Sequence, residues 1–226
     1  MAEGASSTNR LEALSDGAFA VAIGLLVVEV IPVDEFKTVV NIVRHAPAIA
    51  AAFAVFLWIW SVHRHYFATY ALHDPKTVVL NSVLLFLVLF YVYPLKFVST
   101  YVIEAIFHLN PETKATLASP EDGALLLQIY GVGFVAIFLC YALLYRHALS
   151  RRAVLGLDDV QVLEARMSAR ACGLCMIVGL VSLAVTFVPG GPAKAVAGFS
   201  YSLIGPVMGV HGYLAGKARE RLEAAR

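Results

Sequence analysis

Six long apolar stretches, separated by short polar ones, organise this chain. They lie at about residues 13–32, 46–70, 77–103, 123–144, 167–188 and 195–214. Roughly 20 apolar residues carry a helix across the hydrocarbon core of a bilayer, and each stretch approaches or exceeds that length. Backbone N–H and C=O groups find no partners in lipid, so each stretch is predicted to be a helix that satisfies them internally. A β-barrel would need shorter segments of alternating hydrophobicity, which these continuous runs are not. The expectation is an all-α, polytopic membrane protein, one domain over residues 1–226, with six transmembrane helices.

Turn chemistry marks the connections, at Asp74-Pro75, Asn110-Pro111, Ser119-Pro120 and 189–192 (Pro-Gly-Gly-Pro). Residues 146–166 read as a short amphipathic segment on the membrane surface. In the sixth stretch, Gly205/Gly209 and Gly212/Gly216 form small-xxx-small pairs that predict close helix packing, with a kink at Pro206.

Composition agrees with this pattern and narrows the function. Hydrophobic residues make up 60% of the chain and charged residues 15%, against about a quarter charged in a soluble domain. Six crossings leave no room for a separate soluble catalytic domain. The formal net charge of +1 gives no reason to expect a nucleic-acid partner. Residues 1–12 are polar, and Asp16 and Glu29 bracket the first run, so it reads as a retained helix rather than a cleavable leader. The distribution of Lys and Arg sets the orientation. With the N-terminus inside, 12 of them fall in cytoplasmic segments and 4 (Lys37, Arg44, Lys114, Lys194) outside, while Lys96 can snorkel from the third helix. That asymmetry predicts an N-in, C-in protein of the cell (plasma or inner) membrane.

Candidate chemistry is sparse. Ser15 or Asp16 would cap the first helix in the blandest reading. Arg10, Ser15, Asp16, Trp60, His63 and Asn81 nevertheless fall at one membrane level, where an interhelical hydrogen-bonded network could fix the angle of the first helix. His63 and His65 sit i, i+2 on opposite helix sides with no acidic or thiol ligand to complete a set, which argues against a metal site. Cys172-x-x-Cys175 and Cys140 read as small buried hydrophobes. His211 reads as a hydrogen-bonded packing histidine, with a proton-linked role the rarer alternative. Glu29 and Glu104, near the outer face, would attract cations or simply mark the boundary.

Several of these residues carry a family resemblance. Arg10, then Leu14-Ser15-Asp16, then a branched apolar run ending Val28-Glu29-Val30, resembles the opening of the transmembrane protein 175 potassium channels. The resemblance continues at Trp60-Ser-Val-His63-Arg-His-Tyr-Phe67, and at 81–86 (Asn-Ser-Val-Leu-Leu-Phe) with Pro94 beyond. It covers the first three helices by specific residues and the last three by topology. It implies a homotetramer in the lipid bilayer, with the first helix of each subunit lining a passive, potassium-favouring pore. It implies no cofactor, K⁺ being the permeant ion, and no enzyme activity. The positions matching the family's constriction are Val21, Leu25 and Val28, spaced i, i+4, i+7 on one helix face. A ring of such side chains can gate by dewetting. Without the resemblance, the stripe would read as ordinary helix packing.

This sequence also departs from the family pattern. Leu14 replaces a Phe, Val21 is smaller than the usual Ile, and Gly24 stands where a Thr or Ser hydroxyl is frequent. The last change removes a polar group that helps a dehydrating cation and weakens the case for strong K⁺ over Na⁺ selectivity. No Thr-Val-Gly-Tyr-Gly segment is present, so a carbonyl filter of the ordinary kind is excluded. The rival readings are a secondary transporter, which needs mid-depth carboxylates and broken helices that the first helix lacks, and a non-conducting structural membrane protein.

Overall fold

A computed structural model describes residues 2–28, 36–107, 120–189 and 191–224. Its helices are α1 (Ala2–Val27), α2 (Phe36–Tyr70), α3 (Pro75–Phe107), α4 (Pro120–Ser150), a one-turn α5 (Arg152–Leu155), α6 (Asp159–Thr186), α7 (Gly191–Phe199) and α8 (Ile204–Ala224). A 3₁₀ turn, Ser200–Leu203, joins the last two.

Among the described residues, four helical stretches are long and apolar enough to cross a membrane: Ile42–Tyr70, Pro75–Ile103, Glu121–Ser150 and Asp159–Thr186. They belong to α2, α3, α4 and α6, and they make this a multi-pass membrane protein. Helix α1 is not among them. Its uncharged part, 17–28, extends about 18 Å, short of the ~30 Å hydrocarbon core. The run at 195–214 is also not one continuous helix. Pro206 has no N–H to offer the carbonyl four residues back, and its ring crowds that turn, so the chain tightens into the 3₁₀ turn just upstream. The predicted disturbance is there, as a break ahead of the proline. The polar segment 146–166 resolves into the end of α4, α5 and the start of α6. Gly156, in the left-handed region (φ 61°), ends α5. Asp158 then opens α6 with a reciprocal capping box through Gln161.

Helix α1 packs on α2 and α3, α3 on α4, and α4 along its length on α6, which carries α7 and α8. One apolar core runs through these contacts, from Phe19, Ala22 and Leu26 on α1 to Phe134, Tyr141 and Tyr145 on α4 and the buried Cys172 and Cys175 on α6. All three cysteines are buried and unbridged, as small apolar side chains would be. Among the described glycines, the tightest surroundings are at Gly133, where a Cβ would meet the Tyr91 ring at 2.7 Å, and Gly179, where it would meet the Val135 side chain at 2.8 Å. The predicted glycine packing in α8 does not occur within the protomer. A Cβ at Gly205, Gly209, Gly212 or Gly216 would enter open space, because α8 contributes no buried residue.

Candidate functional site

Helix α1 has two unlike faces. Ser15, Phe19, Ala22 and Leu26 are buried against α2 and α3, following the i, i+4, i+7, i+11 rhythm of a helix. On the opposite side Leu14, Val21, Leu25 and Val28 are exposed, and a Cβ at Gly17 or Gly24 would meet nothing. Val21 is 56% exposed and Val28 60%. Among the described residues, this apolar stripe has no partner inside the protomer.

The buried face is registered by polar bonds at its first turn. Ser15 Oγ donates to the Leu11 carbonyl (2.8 Å). Asn81 Nδ2, on α3, donates to Ser15 Oγ (3.0 Å), and Asn81 Oδ1 lies 2.8 Å from His63 Nε2 on α2. An amide oxygen only accepts, so His63 is the donor and carries its proton on Nε2. The donations run in one direction, His63 to Asn81 to Ser15 to Leu11, and leave each participating polar atom satisfied. His63, Asn81 and Ser15 are buried. Phe19 and Phe67 hold the imidazole between their rings, with centroids at 5.4 and 4.6 Å. One residue on, Trp60 Nε1 donates to Asp16 Oδ1 at 3.0 Å, and the Arg64 guanidinium lies 5.4 Å from the indole centroid. Five of the six residues considered from sequence thus meet across three helices. Among the described residues, none of these bonds reaches Arg10, which is exposed.

Other candidates are placed differently. Among the described residues no three His, Cys, Asp or Glu side chains come together to hold a metal. His211 has a buried Nε2 with no hydrogen-bond partner within the protomer, unlike the bonded packing histidine expected. Glu29 lies outside the described residues, as does the side chain of Glu104.

A second polar cluster was not anticipated. Asp74, in the α2–α3 connection, accepts from the Thr77 N–H at 2.8 Å, pairs with His147 Nε2 of α4 at 2.5 Å, and lies 3.7 Å from Arg151 Nε. Desolvation pushes its carboxyl upward, but the Thr77 and His147 bonds outweigh it and hold the group at about 2. The signal was present: Asp74-Pro75 is an N-cap acid before an N1 proline, with Thr77 at the N3 position. Its long-range partner, His147, had none.

Residues 10–91 match the family described as Endosomal/lysosomal potassium channel TMEM175. A protein of Marivirga tractuosa named Potassium channel is 34% identical over 221 residues, covering 94% of this chain and 90% of that protein. The chain belongs to the TMEM175 family. It also aligns at 30% identity over 151 residues with Potassium channel Cha6605_3372 of Chamaesiphon minutus, covering 63% of this chain and 66% of that one. Among solved structures, a variant of the potassium channel MtTMEM175 in complex with a nanobody fusion protein superposes with a TM-score of 0.79 at 33% identity, over 92% of this chain and 93% of that one. A TMEM175 homolog from Chamaesiphon minutus, described as a lysosomal potassium-selective channel, shares the fold at TM-score 0.50 and 24% identity. TMEM175 proteins are ion channels, and this chain is not an enzyme. The matched segment holds every residue of the α1 network and both faces of α1.

Proposed function

We propose that this TMEM175 chain forms a potassium-favouring passive cation channel of the cell membrane, with K⁺ as permeant ion and no cofactor. The full-length resemblance to proteins named potassium channel supports the ion class. The observation that carries the pore assignment is the two-faced first helix. One face is packed and hydrogen-bonded, and the other leaves Val21, Leu25 and Val28 uncovered.

In this reading four copies surround an axis, their α1 helices bring those three positions together, and the rings form a hydrophobic constriction. The short apolar length of α1 fits a helix enclosed by protein rather than lipid. In this reading α1, α2, α3, α4, α6 and the α7–α8 unit each cross the membrane, which leaves both termini on one side, and the 12-to-4 distribution of Lys and Arg favours the cytoplasmic side. Bonds from Ser15 to Asn81 and from Asp16 to Trp60 hold α1 at its working angle. Gly24 on the uncovered face offers a permeating ion no hydroxyl, so discrimination against Na⁺ is modest.

The test is flux through purified protein in liposomes under K⁺ or Na⁺ gradients, for wild type and Leu25→Ala. Fast passive flux, larger for K⁺ and increased by Leu25→Ala, is expected. A well-folded protein without flux under either gradient would overturn the pore assignment.

A further inference from the structure

Where α5, the start of α6 and the end of α8 meet, they enclose an open cleft of about 800 Å³. Three arginines reach it from three elements: Arg152 from α5, Arg166 from α6 and Arg221 from α8. Asp159 is the one carboxylate among the described lining residues. Two neighbouring carboxylates are already engaged, because Arg219 bonds both Glu164 and Glu223 at 2.8 Å. Three arginines less one aspartate leave the cleft with two positive charges in excess. The capping box already engages the Asp158 and Gln161 N–H groups at the start of α6, so the charge the cleft offers is that of its arginine side chains.

Leu157, Leu163 and Leu222, with Val162 and two alanines, make the rest of the described wall apolar. A free anion has no use for that apolar surface, whereas an amphiphile has. The depth also suits this: the 28 helical residues Asp159–Thr186 run about 42 Å against a ~30 Å hydrocarbon core, and the charged N-terminal end of α6, with Asp159, Glu164 and Arg166, is the part that would reach the headgroup region. Basic pockets at this level between membrane helices are suited to acidic headgroups. Helix α8, which buries no residue of its own, would gain a second tie to the α5–α6 corner beside the Arg219–Glu164 pair.

We propose that this cleft binds the phosphate-bearing headgroup of an acidic phospholipid, with Arg152, Arg166 and Arg221 as its ligands. The site lies apart from α1, and its occupancy does not depend on where the pore runs.

Lipid binding to the purified protein in detergent, read by native mass spectrometry, tests this with phosphatidylglycerol against phosphatidylcholine of the same acyl chains. Wild type is expected to hold phosphatidylglycerol at least about tenfold more tightly, each single Arg→Gln change to cost roughly fivefold, and the triple change roughly a hundredfold. Arg170→Gln, an exposed α6 position outside the cleft, is expected to change nothing. Should the triple variant fail to fold, the single variants decide. Equal affinity for the two lipids, or unchanged phosphatidylglycerol binding in the variants, would overturn the proposal. So would inorganic phosphate binding as tightly as phosphatidylglycerol, because the apolar wall would then contribute nothing and the cleft would be a free-anion site. Potassium flux in the same preparations separates the two readings. Selective lipid binding without flux sinks the pore alone, and flux without selective binding sinks the lipid site alone.

Discussion

Asn81→Ala removes the α3 residue that links Ser15 of α1 to His63 of α2. It eliminates the bond to Ser15 (3.0 Å) and the bond to His63 (2.8 Å), and its own side chain is fully buried. Interhelical bonds of this type contribute about 0.6–1.7 kcal/mol each, so two give roughly 1–3 kcal/mol. His63 Nε2–H is then buried without an acceptor, which costs about 1–3 kcal/mol. The two estimates describe overlapping physics, and the expected loss is about 2 kcal/mol. Ser15→Ala removes only one of the bonds to Asn81, while the Leu11 carbonyl keeps its helical N–H partner, so about 1 kcal/mol is expected. Equilibrium unfolding in mixed micelles titrated with dodecyl sulfate measures both values. In the double variant the two losses should fall short of adding by roughly 0.5–1 kcal/mol, because one bond is counted twice. Full additivity, or an Asn81→Ala loss under about 0.5 kcal/mol, would refute the network as the anchor of α1.

Trp60→Phe keeps an aromatic side chain but loses the indole N–H and with it the Asp16 bond; because the pair is exposed, stability should fall by less than about 1 kcal/mol while liposome K⁺ flux changes measurably. Asp74 titrates at about 2 against an ordinary 3.8, so its contribution is fully present above about pH 4 and is lost as pH falls through about 2. Unfolding curves of wild type and Asp74→Asn should therefore converge across that window and stay apart at neutral pH. Gly133→Ala forces a Cβ to 2.7 Å from the buried Tyr91 ring and should cost about 1–3 kcal/mol in the same unfolding assay. Gly209→Ala meets open space in the protomer and should be neutral or stabilising there. A loss of oligomer on size-exclusion chromatography for Gly209→Ala would instead locate a subunit contact on α8.

What the sequence could express was limited by distance along the chain. The apolar runs of α2, α3, α4 and α6 were legible because lipid imposes one rule on every residue of a crossing. Ser15, Trp60, His63 and Asn81 could be grouped because membrane depth is itself a coordinate, so residues remote in sequence but equal in depth become candidates for contact. Depth says nothing about rotation. That is why Arg10, at nearly the same level, stands outside the bonds, and why the α8 glycines predicted to pack meet no neighbour while Gly133 and Gly179 do. The break at 200–203 was signalled by Pro206, but its side of the proline was not. His147 was invisible as a partner of Asp74, since 73 residues of chain separate them and no periodicity links them.

The placement of the α1 bonds has a mechanical consequence. Both interhelical ties grip the helix at consecutive residues, Ser15 and Asp16, near one end of its apolar part. Val28 lies 12 residues further on, about 18 Å along the axis. A helix fixed at one end behaves as a lever, and a tilt of about 5° about that fulcrum carries the far tip through about 1.6 Å. In the proposed tetramer, four such levers tilting together would change the diameter at Val28 by about 3 Å, the width of a water molecule, while Val21 moved less than half as far.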